Sequence, residues 1–284
     1  MLKRIVARPL RWVLQTAGRA YVPGERLQDA LQIAERLGAQ GTPCTIGYFS
    51  SAADSPEASA RVSRSIVDAV AALQPRGYVS IKAPACGYDP QLIASVVLKA
   101  READVLAHFD SHELHTADAT LQCVRQAAAL GGRVGLTIPG RWRRSVADAE
   151  FACGLGVRVR LVKGEWADPG DRARDRRKGS MEVVECLAGR AREVAIASHD
   201  PWLVQQALSR LMAAGTQCEL ELLYGMPMRQ VVALARKFAA PVRVYIPFGI
   251  AWRPYAASKV AEDPRILWRL VRDGVDGLLG RHRS

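Results

Sequence analysis

The sequence Val157-Arg158-Val159-Arg160-Leu161-Val162-Lys163-Gly164-Glu165-Trp166 decides how the rest of the chain is interpreted. Its first six residues alternate apolar and basic side chains, which predicts a β-strand with Arg158 and Arg160 on one face. Gly164 lets the backbone approach a ligand closely, and the neighbouring Lys163 and Trp166 offer charge and a flat surface for one. An edge strand whose arginines face water is the alternative interpretation of the same pattern.

Apolar segments of strand length recur along the chain, and each is followed by an amphipathic helical pattern. The predicted strands are 44–49, 78–82, 104–108, 134–138, 157–162, 193–197, 217–222 and 242–245. The predicted helices are 27–37, 55–73, 90–102, 117–130, 146–155, 181–192, 202–214 and 228–238, with helical sequence continuing to 279. This alternation predicts right-handed βαβ units and a parallel sheet.

Eight such units in 284 residues predict an α/β protein of one domain, a closed (β/α)8 TIM-type barrel. Residues 1–40 form a helical N-terminal segment in this interpretation, and residues 41–284 form the barrel. A doubly wound open sheet is the structural alternative.

Composition narrows the class of protein further. The formal net charge is +12, but the basic residues are spread widely, so we interpret them as a solvated surface and not as a nucleic-acid footprint. The six cysteines are scattered without a close pair or a secretory leader, which is typical of reduced thiols in a cytoplasmic protein. No apolar run approaches the length of a membrane span.

The N-terminal residues 1–19 mix basic and apolar side chains. We favour a helix packed on the body of the protein and broken by Pro9. A basic amphipathic helix in peripheral contact with the inner face of the membrane stays open as the alternative.

A barrel places its active site at the C-terminal ends of the strands. The polar residues predicted at those ends form a mainly cationic set with one carboxylate that looks buried: Lys82, Asp110, Arg160, Lys163, Ser198, His199, Glu221, Tyr224 and Tyr245.

At these strand ends the chain resembles the bacterial monofunctional proline dehydrogenases. The family motif Arg-Leu-Val-Lys-Gly-Ala-Tyr corresponds to residues 160–166, and Ala-Thr-His-Asp/Asn corresponds to residues 197–200. The motif Glu-Phe-Gln-x-Leu-Tyr-Gly corresponds to residues 219–225, and Tyr-Val-Pro-Tyr-Gly followed by Trp-Tyr-Pro-Tyr corresponds to residues 245–249 and 252–255. The resemblance implies FAD in a distorted (β/α)8 barrel, with a late helix over the flavin. It also implies an amine substrate and a quinone or another electron acceptor.

The resemblance assigns a role to each matching residue. The implied catalytic residues are Lys82, Asp110, Arg160 and Tyr245. The implied cofactor contacts are Ser111, Pro139, Lys163, Gly164, Glu165, Trp166, Ser198, His199, Glu221 and Tyr224. The implied substrate contacts are Lys82, Tyr255, Ser258 and Lys259. Arg160 is expected at the N5 edge of the flavin. Since a strand-end residue over a ligand contributes little to a core, we expect Arg160→Ala to impair flavin reduction far more than folding.

The chain departs from the family motif at several of these positions. Ser258-Lys259 replaces a consecutive arginine pair that clamps the proline carboxylate, so a bidentate fork is lost. Pro139 replaces a glutamine that contacts the flavin, Ser51 replaces a glutamate, and Glu165-Trp166 replaces Ala-Tyr.

Three functions therefore stay open. The first is FAD-dependent oxidation of proline or a proline-like secondary amine. The second is oxidation of another amine, one without a carboxylate, and the third is a flavin-less binding module.

Two other patterns carry weaker predictions. His108, His112 and His115 resemble metal ligands in spacing, but a strand end falls among them, so we predict no metal site. The basic run 172–178 follows Asp168-Pro169-Gly170-Asp171, and we interpret it as part of a solvated loop, with contact to an anionic partner as the alternative.

Overall fold

Eight parallel strands close into a barrel in the computed structural model, which describes residues 23–251. The strands are β1 (Cys44–Tyr48), β2 (Tyr78–Ile81), β3 (Ala107–Phe109), β4 (Val134–Pro139), β5 (Arg158–Val162), β6 (Glu193–Ala197), β7 (Gln217–Leu223) and β8 (Val242–Phe248). Each strand pairs with the next one in parallel, and β8 closes the sheet against β1. The predicted (β/α)8 barrel is confirmed, and the open-sheet alternative is wrong.

Among residues 23–251, one α-helix precedes β1 and seven follow β1 to β7, and all of them pack around the barrel. They are α1 (Leu27–Gly38), α2 (Pro56–Ala72), α3 (Pro90–Glu102), α4 (Ala117–Ala129), α5 (Ser145–Leu155), α6 (Arg176–Leu187), α7 (Pro201–Ala213) and α8 (Arg229–Lys237). Three of them, α2, α3 and α7, begin with the same local code, a Ser or Asp cap followed by proline. The cap side chain accepts a main-chain N–H of the first turn, and proline fits there because it has no N–H to satisfy.

Four predicted boundaries are wrong by three residues or more. Two are ends, since the eighth strand runs to Phe248 and not to 245, and the helix after β5 ends at Leu187 and not at 192. The third strand begins at Ala107 and not at Asp104, which has a φ of +49° and lies in the turn after α3. The helix after β5 begins at Arg176, so the basic run 172–178 is only partly loop. Asp175 caps this helix by accepting the N–H of Lys178 at 2.7 Å. The first turn of α6 has few apolar residues, so its hydrophobic pattern becomes visible only near Met181.

The apolar core lies between the barrel and its helices. Strand side chains that point outward are aliphatic or aromatic and almost fully buried, for example Ile46, Phe109, Leu161 and Leu220. Because the outward side chains are apolar and the inward ones are polar, apolar and polar residues alternate along the strands although both faces of the sheet are covered.

The inside of the barrel is polar, whereas bulky aliphatic residues usually fill such barrels. Arg158 and Arg160 of β5 point inward and are each 3% exposed. The alternative of arginines facing water is therefore wrong. Two glycines make room for large interior side chains, since a Cβ at Gly47 would stand 2.1 Å from the hydroxyl of Tyr245 and one at Gly135 would stand 2.1 Å from His108 Nδ1.

Several predictions concern residues outside 23–251. They are the N-terminal basic helix, the late helix over the flavin, and the substrate contacts Tyr255, Ser258 and Lys259. The division of the chain at residue 40 likewise stays a prediction. Within the part of the chain that the structure describes, no helix has both the length and the apolar character needed to cross a bilayer.

Candidate active site

A cavity of about 640 Å³ opens at the C-terminal end of the barrel. Its volume lies within the range of small-molecule sites, roughly 300–1,000 Å³. The predicted site residues in its wall are Lys82, Asp110, Ser111, Pro139, Arg160, Lys163, Gly164, Glu165, Trp166, Ser198, His199, Glu221 and Tyr245. The structure thus brings together side chains from seven different strands or the loops that follow them.

Asp110, just after β3, is the hub of the cavity floor. Its carboxylate accepts hydrogen bonds from Ser80 Oγ at 2.6 Å, Lys82 Nζ at 3.1 Å, Arg160 NH1 at 2.6 Å and Tyr245 OH at 3.0 Å. Burial by itself would raise the pKa of Asp110, but the charges of Lys82 and Arg160 outweigh it and hold that pKa below its ordinary value. Asp110 is therefore an ionised group that orients its three functional neighbours.

Arg160 is fixed by two carboxylates. Its Nε donates to Glu221 Oε2 at 3.0 Å, its NH2 lies 2.9 Å from Glu221 Oε1, and its NH1 donates to Asp110. Burial would raise the pKa of Glu221, yet the guanidinium of Arg160 lowers it below the usual value. Glu221 also accepts the hydroxyls of Thr45, at 2.9 Å, and Tyr78. The expectation that Arg160 contributes little to the core is wrong, because it joins the buried carboxylate of Glu221 to the largely buried one of Asp110 inside the barrel.

Lys82 lies directly after β2, at the C-terminal end of the barrel, and is 8% exposed. Its Nζ donates to Asp110 and to Tyr245 OH at 3.4 Å, and it lies 4.0 Å from the centre of the Phe49 ring. Burial lowers the pKa of Lys82, and the charge of Asp110 opposes this shift only in part. Two acceptors leave one N–H of an ammonium group for an anion in the cavity.

A second ionic layer lies deeper in the barrel. Arg158 donates from Nε to Glu193 Oε1 at 2.6 Å and from NH2 to Glu219, which also accepts from Arg243 Nε at 2.8 Å. The hydroxyl of Tyr78 links the two layers by accepting from Arg158 NH1 at 3.0 Å and donating to Glu221. The cavity floor therefore rests on a hydrogen-bonded polar stack.

The loop after β5 is held against the cavity by the loop after β4. Trp142 Nε1 donates to the carbonyl of Trp166 at 2.9 Å, and Arg141 NH1 donates to the carbonyl of Glu165 at 2.5 Å. Gly164 has a φ of +87°, and a Cβ there would stand 2.8 Å from the Cβ of Pro139. Glycine is needed here for tight packing of the two loops as well as for access to the cavity.

Ser198 and His199 fasten the loop after β6. Ser198 Oγ accepts the N–H of Asp200 at 3.1 Å. The ring of His199 lies between two main-chain groups, with Nδ1 2.9 Å from the carbonyl of Pro227 and Nε2 accepting from the N–H of Leu223 at 3.1 Å. Burial lowers the pKa of this histidine. Both ring nitrogens are used by the protein, which leaves only the ring face for a ligand.

Tyr224 does not reach the cavity wall. It packs on the apolar core, and its main-chain N–H donates to the carbonyl of Tyr245 at 2.9 Å. Its contact with a cofactor stays a prediction without geometric support.

Sequence reasoning missed five participants, Phe49, Tyr78, Ser80, His112 and Thr137. Tyr78, Ser80 and Lys82 alternate along β2, so they share the inward face, and this period of two was the available signal. Thr137 is paired in register with Arg160 on the neighbouring strand. His112 was weighed only as a metal ligand. Among residues 23–251, no group of three or more His, Cys, Asp or Glu side chains is placed to hold a metal ion.

Comparison with known proteins identifies relatives of this chain. Proline dehydrogenase 1 of Bacillus subtilis (strain 168) is 25% identical over 264 residues, which cover 87% of this chain and 86% of the relative. A proline dehydrogenase of Deinococcus radiodurans is 26% identical over 283 residues, covering 92% and 89%. No family model matches the chain. The predicted resemblance is confirmed over most of the chain.

Solved structures support the fold. Proline utilization A from Bdellovibrio bacteriovorus superposes with a TM-score of 0.73 at 18% identity, over 89% of this chain and 33% of that protein. A variant of proline utilization A from Bradyrhizobium japonicum superposes with a TM-score of 0.72 at 21% identity, over 90% and 32%. This chain spans about a third of the length of these proteins, and at such identities the likeness concerns the fold alone.

Proposed function

We propose that this chain, which belongs to the proline dehydrogenase family as a divergent member, is a FAD-dependent oxidoreductase acting on proline or a proline-like secondary amine. The observation that carries the proposal is the cluster of Lys82, Asp110, Arg160 and Tyr245 at the floor of one cavity, bonded through the single carboxylate of Asp110. The names of the relatives supply the substrate class.

The side chains that line the cavity suit a flavin, because they combine aromatic surface with positive charge. Trp166 and Phe49 supply aromatic surface, and the carboxylates of Asp110 and Glu221 are already neutralised by arginine and lysine. Lys163 adds a cation on the wall that the family motif assigns to the ribityl-phosphate chain. FAD, when bound, would accept the hydride from the carbon next to the amine nitrogen.

The chain's own residues bind and orient the substrate. Lys82 lines the cavity and has one N–H beyond those given to Asp110 and Tyr245, and this N–H would donate to a carboxylate oxygen of proline. Tyr245 would pack its ring on the substrate ring, since its hydroxyl is anchored on Asp110. Asp110 already accepts from four donors, so we assign it a positioning role. The substrate ammonium group would lose its proton to solvent.

The two alternatives have less support. An amine without a carboxylate would leave the third N–H of Lys82 without an acceptor, since only the other two are taken by Asp110 and Tyr245. A flavin-less module would have no use for a buried cluster that costs several kcal/mol to desolvate.

The reduced flavin would pass its electrons to a quinone or another acceptor. Cytoplasmic location and membrane contact of the basic N-terminus remain predictions.

Purified protein tests the proposal. We expect the flavin absorption spectrum after FAD reconstitution, anaerobic bleaching on addition of proline, and recovery of colour with a quinone analogue. Proline should bleach the flavin at lower concentration than pyrrolidine, its carboxylate-free counterpart. A protein that takes up no FAD would contradict the cofactor, and faster bleaching by pyrrolidine would contradict the substrate.

A further inference from the structure

His112 lies in the cavity wall, two residues after Asp110, and none of the roles described above uses it. Its ring stacks on that of Trp166, with centroids 6.0 Å apart and planes inclined by 28°. The pair therefore forms a continuous flat section of the wall between the loops after β3 and β5.

The two ring nitrogens of His112 have different surroundings. Nε2 is shut off from solvent, and no described residue lies within hydrogen-bonding distance of it. Because His112 lines the cavity and Nε2 is enclosed, we infer that Nδ1 is the ring nitrogen a ligand there can contact. A buried N–H without an acceptor is much rarer in proteins than a buried lone pair without a donor. The proton of a neutral imidazole is therefore best placed on Nδ1, where it is free to donate.

The ring stays neutral over the working range of most enzymes. Burial is the largest cause, and the nearby charge of Lys82 adds to it, so that the pKa of His112 falls to about 4. A neutral imidazole with its proton on Nδ1 is a hydrogen-bond donor without net charge.

Pro139 gives the wall beside His112 no donor, and the neighbouring donors there are the hydroxyls of Ser111 and Thr137. Pro139 shares the cavity wall with His112, and both also line a small void of about 20 Å³ behind it, which places them side by side. Proline has no N–H, and its carbonyl is taken by the hydroxyl of Ser145. A polar edge of a planar ligand beside Pro139 would find its N–H donor in the ring of His112.

We propose that His112 donates a hydrogen bond from Nδ1 to the flavin ring system, with Trp166 fixing the plane of the imidazole. This inference rests on the proposed function, because it needs the flavin in this cavity. To the proposed function the inference adds a residue, His112, that sets the affinity for the cofactor and the properties of the bound flavin.

The test compares His112→Phe with His112→Gln in the full chain. Phenylalanine keeps a flat ring against Trp166 but has no donor, whereas glutamine restores a donor. His115→Gln is the matched control, since His115 lies three residues away with a side chain that is 76% exposed. The measurements are the FAD dissociation constant from fluorescence titration, the flavin absorption spectrum and the midpoint potential.

We expect His112→Phe to weaken FAD binding about tenfold, the effect of one lost hydrogen bond, and to shift the absorption maximum and the potential. His112→Gln should recover most of the affinity, and His115→Gln should match the parent. Equal losses in the phenylalanine and glutamine variants would indicate a packing role and overturn the proposal. Parent-like FAD binding in His112→Phe, with or without a raised KM for proline, would overturn it as well. A parent protein that takes up no FAD would instead reject the proposed function, and this inference with it.

Discussion

At the scale of single residues, the strand-end motifs predicted most of the cavity wall but not how its charges are balanced. Arg160 was recognised from Arg160-Leu161-Val162-Lys163-Gly164, yet its two partners lie just after β3 and in β7, 50 and 61 residues away in the chain. No local pattern encodes such pairing, since it arises only when the barrel closes. This is why Arg160 looked like a ligand contact in sequence and is also part of the core in the structure.

Arg160→Ala should destabilise the fold. It leaves the buried Glu221 and the largely buried Asp110 without their shared cation, and the loss of one partner from a buried ion pair costs about 3–5 kcal/mol. Urea denaturation measures the change. Arg76→Ala serves as control, because the Arg76–Asp104 pair is solvent-exposed and its loss should cost about 1 kcal/mol or less. Equal urea midpoints for Arg160→Ala and the parent would show that the interior network contributes nothing to stability.

Gly164→Ala should also cost more than an ordinary glycine substitution. The φ of +87° strains any L side chain, and the new Cβ would meet Pro139 and Arg141 at 2.8 Å. We expect a loss of about 2–3 kcal/mol and weaker FAD binding, measured by thermal unfolding and by flavin titration. Gly131→Ala is the matched control, with a similar φ of +77° and nothing within 4 Å of its Cβ. It should lose about 1 kcal/mol and leave FAD binding unchanged. Similar losses in both variants would show that the contact with Pro139 is unimportant.

At the scale of elements, hydrophobic period predicted every strand and α-helix of the described part, with errors at their ends. The outward faces of the strands are so uniformly apolar that their existence is plain from sequence. The start of α6 could not be predicted from its polar first turn, although Asp175 was an available cap signal. The start of β3 was predicted too early because Val105 and Leu106 are apolar and buried without belonging to the strand.

Asp200 illustrates how one residue serves two elements. Its carboxylate caps α7 by accepting the N–H of Trp202 at 3.1 Å, and it pairs with Arg177 of α6 at 2.6 and 2.9 Å. We expect Asp200→Ala to cost about 1–2 kcal/mol, because both contacts are lost. Asp200→Asn keeps the cap and should cost less than about 1 kcal/mol. Thermal unfolding distinguishes the two, and equal destabilisation would mean that the ion pair with Arg177 matters more than the cap.

At the scale of the whole molecule, the barrel combines an apolar outer core with a charged interior. Four cations (Lys82, Arg158, Arg160, Arg243) and four carboxylates (Asp110, Glu193, Glu219, Glu221) face one another inside it. Their charges cancel, so the net charge of +12 belongs to the rest of the chain. The interior is thus preorganised for a charged substrate but depends on every partner keeping its ionisation state.

This dependence predicts how stability changes with pH. His108, His112 and His199 have lowered pKa values, mainly through burial, so the unfolded chain binds protons below the ordinary value of 6.5 and the folded chain does not. Asp110 and Glu221 have lowered pKa values because the charges of arginine and lysine outweigh the effect of burial. Below the ordinary pKa values of 3.8 and 4.5, the unfolded chain therefore binds protons at these carboxylates and the folded chain does not. Stability should therefore be greatest above pH 6.5 and should fall in two windows on acidification.

Urea unfolding between pH 8 and pH 3.5 checks both windows. The first, below pH 6.5, should have a slope of up to about 1.4 kcal/mol per pH unit for each of the three histidines. Glu221→Gln separates the second window from the first. It removes one titrating carboxylate, so it should lower the free energy of unfolding at pH 7, flatten the loss below pH 4.5 and leave the histidine window unchanged. A parent stability that is constant from pH 7 to pH 4 would mean that the buried histidines and carboxylates take up protons in the folded barrel as readily as in the unfolded chain, and the closed charged interior would then be the wrong description.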